Sequence, residues 1–156
     1  MSIAPSVERY LEDHGVGFDI VPHPRAFDAM YTAAMAHVPG DHLAKSVVLH
    51  DDKGYVVAVL PATRRVKLRA LDLATRRQLS LATEAEIARI FDDCDLGAVP
   101  PLAQAYGLPV VVDDSLVGAD DVFFEAGDHT DLVHVTGEGF RRLIADAEVA
   151  RFSEHV

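Results

Sequence analysis

Few side chains in this 156-residue sequence stand where their type and spacing could do chemistry. Lys45 lies at the mouth of an apolar, β-branched run, Leu43-Ala44-Lys45-Ser46-Val47-Val48-Leu49. An ammonium there is either lifted to water on its long stem or held in a cleft to meet an anion. Ser46 beside it completes a Ser-Lys pair, a combination that can run nucleophilic chemistry. Adjacent strand residues point to opposite faces, however, so the two side chains should diverge. Cys94 is a second possible nucleophile, but Asp92, Asp93 and Asp95 surround it, and neighbouring negative charge suppresses the thiolate. Eight histidines raise the question of a metal. His37 and His42 are separated by Pro39-Gly40, and alternation along a strand would not aim His129, Asp131 and His134 at one ion, so neither a metal nor another cofactor is expected. The last candidate is the loop Gly97-Ala98-Val99-Pro100-Pro101. It is either a plain sharp turn or a rigid cradle whose exposed N–H groups hold a carbonyl or a ribose.

The elements that must position these groups can be read from periodicity. Pro5 to His14 has helical spacing at Val7, Tyr10 and Leu11, and Phe18 to Val21 alternates like a short strand. Ala26 to Ala36 is an alanine-rich second helix, ended by Val38-Pro39-Gly40-Asp41. The Lys45 run and Tyr55-Val56-Val57-Ala58-Val59-Leu60 flank an Asp/Gly turn, which predicts a β-hairpin. Val66 to Thr75 resumes a helical period, and Leu79-Ser80-Leu81 is too short to assign. Thr83-Glu84-Ala85-Glu86 is a capping-box helix start. Pro109 to Asp113, Asp121 to Glu125 and Leu132 to Thr136 read as strands, and Phe140 to Ala147 as a closing helix. Gly137-Glu138-Gly139 mimics a dinucleotide fingerprint, but Arg142 replaces its third glycine and too little chain follows for a second strand. Strands and helices mix without strict alternation, so the expected class is α+β: a single compact domain over residues 1–156, with a mixed, mostly antiparallel sheet and helices packed around it.

Bulk composition narrows the function. At 49% apolar and 25% charged residues the chain is ordinary globular material and is long enough to bury ~70% of its unfolded surface. No membrane span or signal peptide is visible and one cysteine forms no internal disulfide, which points to the cytoplasm. A net charge of −11 argues against general nucleic-acid binding. Against that background Arg64, Arg65, Lys67, Arg69, Arg76 and Arg77 gather within fourteen residues beside a single acid, Asp72. That segment is either a solvated helix face or a local phosphate-facing surface.

Six stretches in order resemble the YbaK/ProX family: Leu43 to Leu49; Ala58-Val59-Leu60-Pro61-Ala62 with Arg65-Val66; Leu81 to Glu86; Gly97 to Leu102; Val110 to Asp113; and Phe123-Phe124-Glu125-Ala126-Gly127. The resemblance covers about Val7 to Leu143. It implies the fold of the bacterial prolyl-tRNA synthetase editing domain and its free-standing relatives, which hydrolyse the ester joining a wrong amino acid to tRNA. It further implies a pocket between the lysine strand and a Gly-x-x-x-Pro loop. Lys45 matches the family's lysine, and Gly97 and Pro101 match the loop ends. Ala98, Val99, Pro100, Glu125, Ala126 and Gly127 are then expected to bind substrate, with His23, Met30 and Tyr31 shaping the pocket. Relatives more often carry serine or asparagine at the Glu125 position, a departure that bears on substrate choice. By the same resemblance, Lys45 would contact phosphate or ribose or screen developing charge, and Arg64, Arg65, Lys67 and Arg69 would face the tRNA stem. The implied partners are the acceptor end of an aminoacyl-tRNA and an aminoacyl-tRNA synthetase, with no membrane. Two other readings fit the same residues: a binding module that holds such a ligand without turnover, and a hydrolase of some small ester unrelated to tRNA.

Overall fold

The hairpin around Lys45 sits at the middle of the sheet in the computed structural model, which describes residues 3–26 and 28–156. The first half of the chain runs α1 (Pro5–Asp13), β1 (Asp19–Pro22), α2 (Ala29–Ala36), β2 (Leu43–Asp51), β3 (Gly54–Pro61), β4 (Arg64–Val66) and α3 (Leu68–Thr75). The second half adds β5 (Ser80–Leu81), α4 (Glu84–Ile90), β6 (Val110–Asp113), β7 (Asp121–Glu125), β8 (Asp131–Thr136), α5 (Gly137–Leu143), β9 (Glu148–Ala150) and β10 (Ser153–His155). The main sheet is ordered β1-β8-β7-β2-β3-β6-β9, with β5 also on β2, and β4 pairs separately with β10. Its contacts β1–β8, β8–β7, β2–β3 and β2–β5 are antiparallel, whereas β7–β2, β3–β6 and β6–β9 are parallel. Among the described residues no helix is long and apolar enough to cross a membrane.

Alternation along the central strands divides the core. Ala44, Val48, Val57 and Val59 face one side and pack with Val7 and Leu11 of α1, Ile87 of α4 and Phe140 of α5. Leu49, Val56, Ala58 and Leu60 face the other side with Leu71 of α3 and Phe152. Leu43 continues that second face under Ala33 of α2 and Leu132. Both central strands are therefore buried on both sides, which explains their nearly unbroken apolar composition.

The register runs from Ala44 opposite Pro61 to Asp51 opposite Gly54, so Asp52 and Lys53 form a two-residue turn. Gly54 follows the turn at φ 131°, a conformation that L side chains rarely adopt. Arg77 clamps the turn from the end of α3, donating to both Asp51 carboxylate oxygens at 2.8 and 2.6 Å. That bidentate contact holds the Asp51 carboxyl well below the usual carboxylate range.

Several element boundaries differ from expectation. The predicted helix from Val66 begins at Leu68, because Arg64–Val66 instead pairs with Ser153–His155 across most of the chain length. The second helix starts at Ala29 rather than Ala26, where the Asp28 carboxylate accepts the Tyr31 N–H at 2.8 Å; residue 27 lies outside the described residues. The closing helix occupies Gly137–Leu143 rather than Phe140 to Ala147, since Thr136 caps it by accepting the Gly139 N–H at 3.0 Å. Strands β9 and β10 follow it, both too short for a periodic signal. The capping box of α4 forms as read: Thr83 Oγ1 accepts the Glu86 N–H at 3.2 Å, and Glu86 Oε1 accepts the Thr83 N–H at 2.9 Å.

One consequence of this topology positions the site. The outer edge of β2 pairs with β7 only at Leu43 and Ala44, and with β5 only at Leu49 and His50. The two neighbours diverge between those points, leaving Lys45 to Val47 without a strand partner on that edge among the described residues.

Candidate active site

A cleft of about 490 Å³ opens where β7 and β5 part, and it reaches residues from both faces of β2. Lys45 and Ser46 supply its floor, although their side chains leave the strand in opposite directions. Lys45 Nζ donates to the Ala62 carbonyl at 3.4 Å and is half-buried, and that burial pulls its ammonium pKa below the ordinary lysine value. Ser46 Oγ is buried and meets no hydrogen-bond partner among the described residues. The first turn of α4, oriented by its capping box, brings Glu84 and Ile87 to one wall, and Ala29 of α2 closes another.

Across from the lysine, the Gly97 loop and the segment after β7 meet through His129. The imidazole is buried, and its Nε2 lies 2.6 Å from the Leu96 carbonyl oxygen. A carbonyl can only accept, so Nε2 carries the proton and Nδ1 presents a lone pair in the neutral ring. Gly97 lets the loop lie against this ring: a Cβ there would come 3.2 Å from His129 Cε1, and its φ of +86° suits glycine. On the lone-pair side, Glu125 Oε1 stands 3.7 Å from Nδ1. Burial, reinforced by the Asp128 charge, pushes the Glu125 carboxyl up to about 8.

The residues expected to bind substrate divide into two groups. Lys45, Gly97, Val99 and Glu125 line the cleft. Ala98, Pro100, Pro101, Ala126 and Gly127 stand behind it as buried supports. The Ala98 carbonyl accepts the Gly127 N–H at 3.1 Å, the Gly127 carbonyl accepts the Asp95 N–H at 2.7 Å, and the Ala126 carbonyl accepts the Ala4 N–H at 2.6 Å. Gly127 is required here, because a Cβ would sit 2.9 Å from the Ala4 nitrogen. Tyr31 and Met30 are outside the cleft lining and about half exposed at 54% and 49%. His23 is buried and outside the cleft lining, with Nδ1 2.7 Å from the Pro24 carbonyl oxygen and its backbone N–H donating to the Thr130 carbonyl at 2.8 Å.

None of the basic segment lines the cleft. Arg64 is held by Ser153, donating to its Oγ at 2.6 Å and its carbonyl at 3.0 Å, and Arg65 pairs with Glu154 at 2.9 Å. Lys67 and Arg69 extend to solvent. His129 and Glu84 are the polar residues that sequence reasoning missed. In the sequence His129 reads only as a metal-ligand candidate, yet its place four residues after Glu125 puts it just past the Glu125-Ala126-Gly127 stretch that the resemblance singles out. Cys94 lies outside the cleft, and its thiol is pushed up to about 12 by burial and the neighbouring Asp93, against a lowering contact from Tyr106.

No curated protein matches the sequence. Among solved structures, a candidate trans-editing enzyme for prolyl tRNA synthetase superposes with a TM-score of 0.84 at 26% identity, over 98% of this chain and 99% of that one. The hypothetical protein APE2540 gives 0.84 at 21% identity over 96% and 99%. A candidate signal transduction protein from Marinobacter aquaeolei VT8 gives 0.79 at 24% identity, where 97% of this chain matches 31% of a longer one. The last two likenesses speak to fold alone. The aminoacyl-tRNA editing domain family matches residues 23–143, a span that holds every residue lining the cleft. On that match the chain belongs to the aminoacyl-tRNA editing domain family.

Proposed function

We propose that this protein is a trans-editing hydrolase that deacylates mischarged aminoacyl-tRNA by attack of water on the aminoacyl ester. The observation that carries the reading is the half-buried Lys45 ammonium in a cleft beneath a glycine loop, within an editing-family fold. An aminoacyl ester is already activated, so its hydrolysis needs a placed water and a stabilised oxyanion more than a strong nucleophile. Lys45 is the cation of the site, and its partial desolvation strengthens its pull on the terminal phosphate or ribose, or on the charge that develops in the transition state. Backbone groups of the Gly97 loop hold the aminoacyl end, and Ser46 Oγ has its donor and acceptor available for substrate or water. Exposed Lys67 and Arg69, with Arg65, face the tRNA stem.

The binding-module reading draws on Glu125, since a carboxylate in the pocket would repel an RNA 3′ end. With its carboxyl pushed up to about 8, Glu125 is mostly neutral at pH 7, which weakens that objection to turnover. Purified protein mixed with a panel of mischarged tRNAs tests the proposal. The panel includes wrongly charged proline tRNA, because a structural neighbour is described as a trans-editing candidate for prolyl tRNA synthetase. Rapid release of the amino acid from one or two members is the expected result. Binding without release would favour the module, and neither would favour the small-ester reading.

A further inference from the structure

The deacylase reading leaves open which part of the aminoacyl group the acidic wall of the cleft recognises, and the inference drawn here rests on that reading. The cleft carries charge-bearing groups at two separate places. Lys45 points to the Ala62 carbonyl, Glu125 lies by the Gly97 loop, and no ion pair joins the two among the described residues. The Glu125 side chain is only 17% exposed, and its Oε1 is buried without a hydrogen-bond donor among the described residues. The ring facing it cannot supply one while neutral, because the His129 proton is committed to the Leu96 carbonyl. Asp128 turns its carboxylate to the N–H groups of Thr130 and Asp131, at 3.1 and 2.8 Å, and adds negative potential behind Glu125. From α4, Glu84 adds a second carboxylate to the cleft lining.

We infer that this acidic wall selects esters whose α-amino group is free, and that Glu125 is the residue that reads the ammonium. A buried acceptor without a donor costs free energy until a ligand supplies one. An ammonium brings three N–H donors and a positive charge, and so answers both the orphaned oxygen and the surrounding acids. The substrate is itself bipolar, with an anionic ribose-phosphate end and a cationic aminoacyl end, and the cleft presents Lys45 to the first and Glu125 to the second. An N-acylated ester of the peptidyl type lacks the charge and would leave Glu125 unsatisfied, which is the form of discrimination that buried polar groups provide most strongly.

The proton balance supports the assignment. In the protein without ligand the Glu125 carboxyl is pushed up to about 8 by burial and Asp128. When the ammonium enters at neutral pH, Glu125 loses its O–H proton to solvent, the ligand keeps its own, and the ion pair forms. Among the described residues, the titratable groups lining the cleft beside Glu125 are Lys45, Glu84 and His129, and Asp128 acts on Glu125 from behind.

The probes are the alanyl, seryl and prolyl amides of 3′-amino-3′-deoxyadenosine, which stand in for the ester without being hydrolysed, each paired with its N-acetyl derivative. Calorimetry on the full chain should find the free-amine member bound about 10–100-fold tighter in at least one pair, the range of a charge-assisted hydrogen bond. Titration in buffers of different ionisation enthalpy at pH 7 should show release of close to one proton per ligand. Glu125→Gln should bring the ratio close to one. Equal or undetectable binding of both members of every pair, or a preference that survives in Glu125→Gln, would overturn the inference. The wild-type ratio and the proton release do not depend on the variant folding. Discrimination without deacylation of any mischarged tRNA would defeat the deacylase reading alone. Deacylation without discrimination would defeat the ammonium reading alone.

Discussion

Glu125 stands in the cleft with its Oε1 3.7 Å from His129 Nδ1, and its partial burial bears on the pH dependence of folding. The folded pKa of Glu125, about 8, lies above the unfolded carboxylate value of about 4.3. A raised pKa means that the folded state holds the proton more tightly, so its contribution is most favourable below the unfolded value and is lost as pH rises through the folded one. Glu125→Gln, which cannot ionise, should therefore flatten the fall in stability between pH 5 and pH 8, by on the order of 2–4 kcal/mol. Denaturant unfolding at the two pH values checks this, and an unchanged pH difference would show that Glu125 is not the buried acid. At this scale the sequence was only partly legible. Lys45 was marked by its place at the mouth of an apolar strand, a local signal. His129 was not, because its tautomer and its place in the cleft are set by Leu96, 33 residues away.

The site combines a helix start with a local cause and strand pairings that are non-local. Strand β2 presents Lys45 and Ser46 to the cleft because its neighbours pair with it at opposite ends, and α4 fills part of the gap with Glu84 and Ile87. The capping box fixes where α4 begins. Thr83→Ala removes the hydroxyl that accepts the Glu86 N–H, with an expected loss of about 1 kcal/mol, whereas Thr83→Ser should retain most of it. Thermal melts would register the alanine change as a fall of about 2–4 °C in a chain of this size. A melt unmoved by alanine would mean that packing of Ile87 alone places the helix. The capping box and the Asp/Gly hairpin were readable because their partners are neighbours in sequence. The β4–β10 ladder was not, since it joins residues 89 apart and neither strand exceeds three residues.

At the scale of the whole molecule, the deacylase reading requires a chain of net charge −11 to meet a polyanion, and on that reading the basic segment is the surface proposed to do so. Folding divides that segment, because Arg77 is committed to Asp51 and Arg64 to Ser153, while Lys67 and Arg69 remain extended to solvent. Replacing Lys67 and Arg69 with glutamine should weaken binding similarly for all tRNAs and reduce the slope of log affinity against log salt by about 1.5–2. An unchanged slope would place the tRNA elsewhere. The sheet architecture itself was foreseeable from the mixture of short-connected strands and helices. The parting of β7 and β5 along β2, which creates the cleft, depends on non-local pairing that no local pattern records. On the deacylase reading, the lysine at this gap drives hydrolysis of an aminoacyl-tRNA ester. Single-turnover deacylation of the best substrate from the mischarged panel, with wild type beside Lys45→Ala, tests it most directly. The expected result is a rate loss of about 100-fold or more in the variant with its fold intact, the scale of removing one preorganised charge-stabilising group. Full activity in a folded Lys45→Ala protein would rule out that role for the lysine.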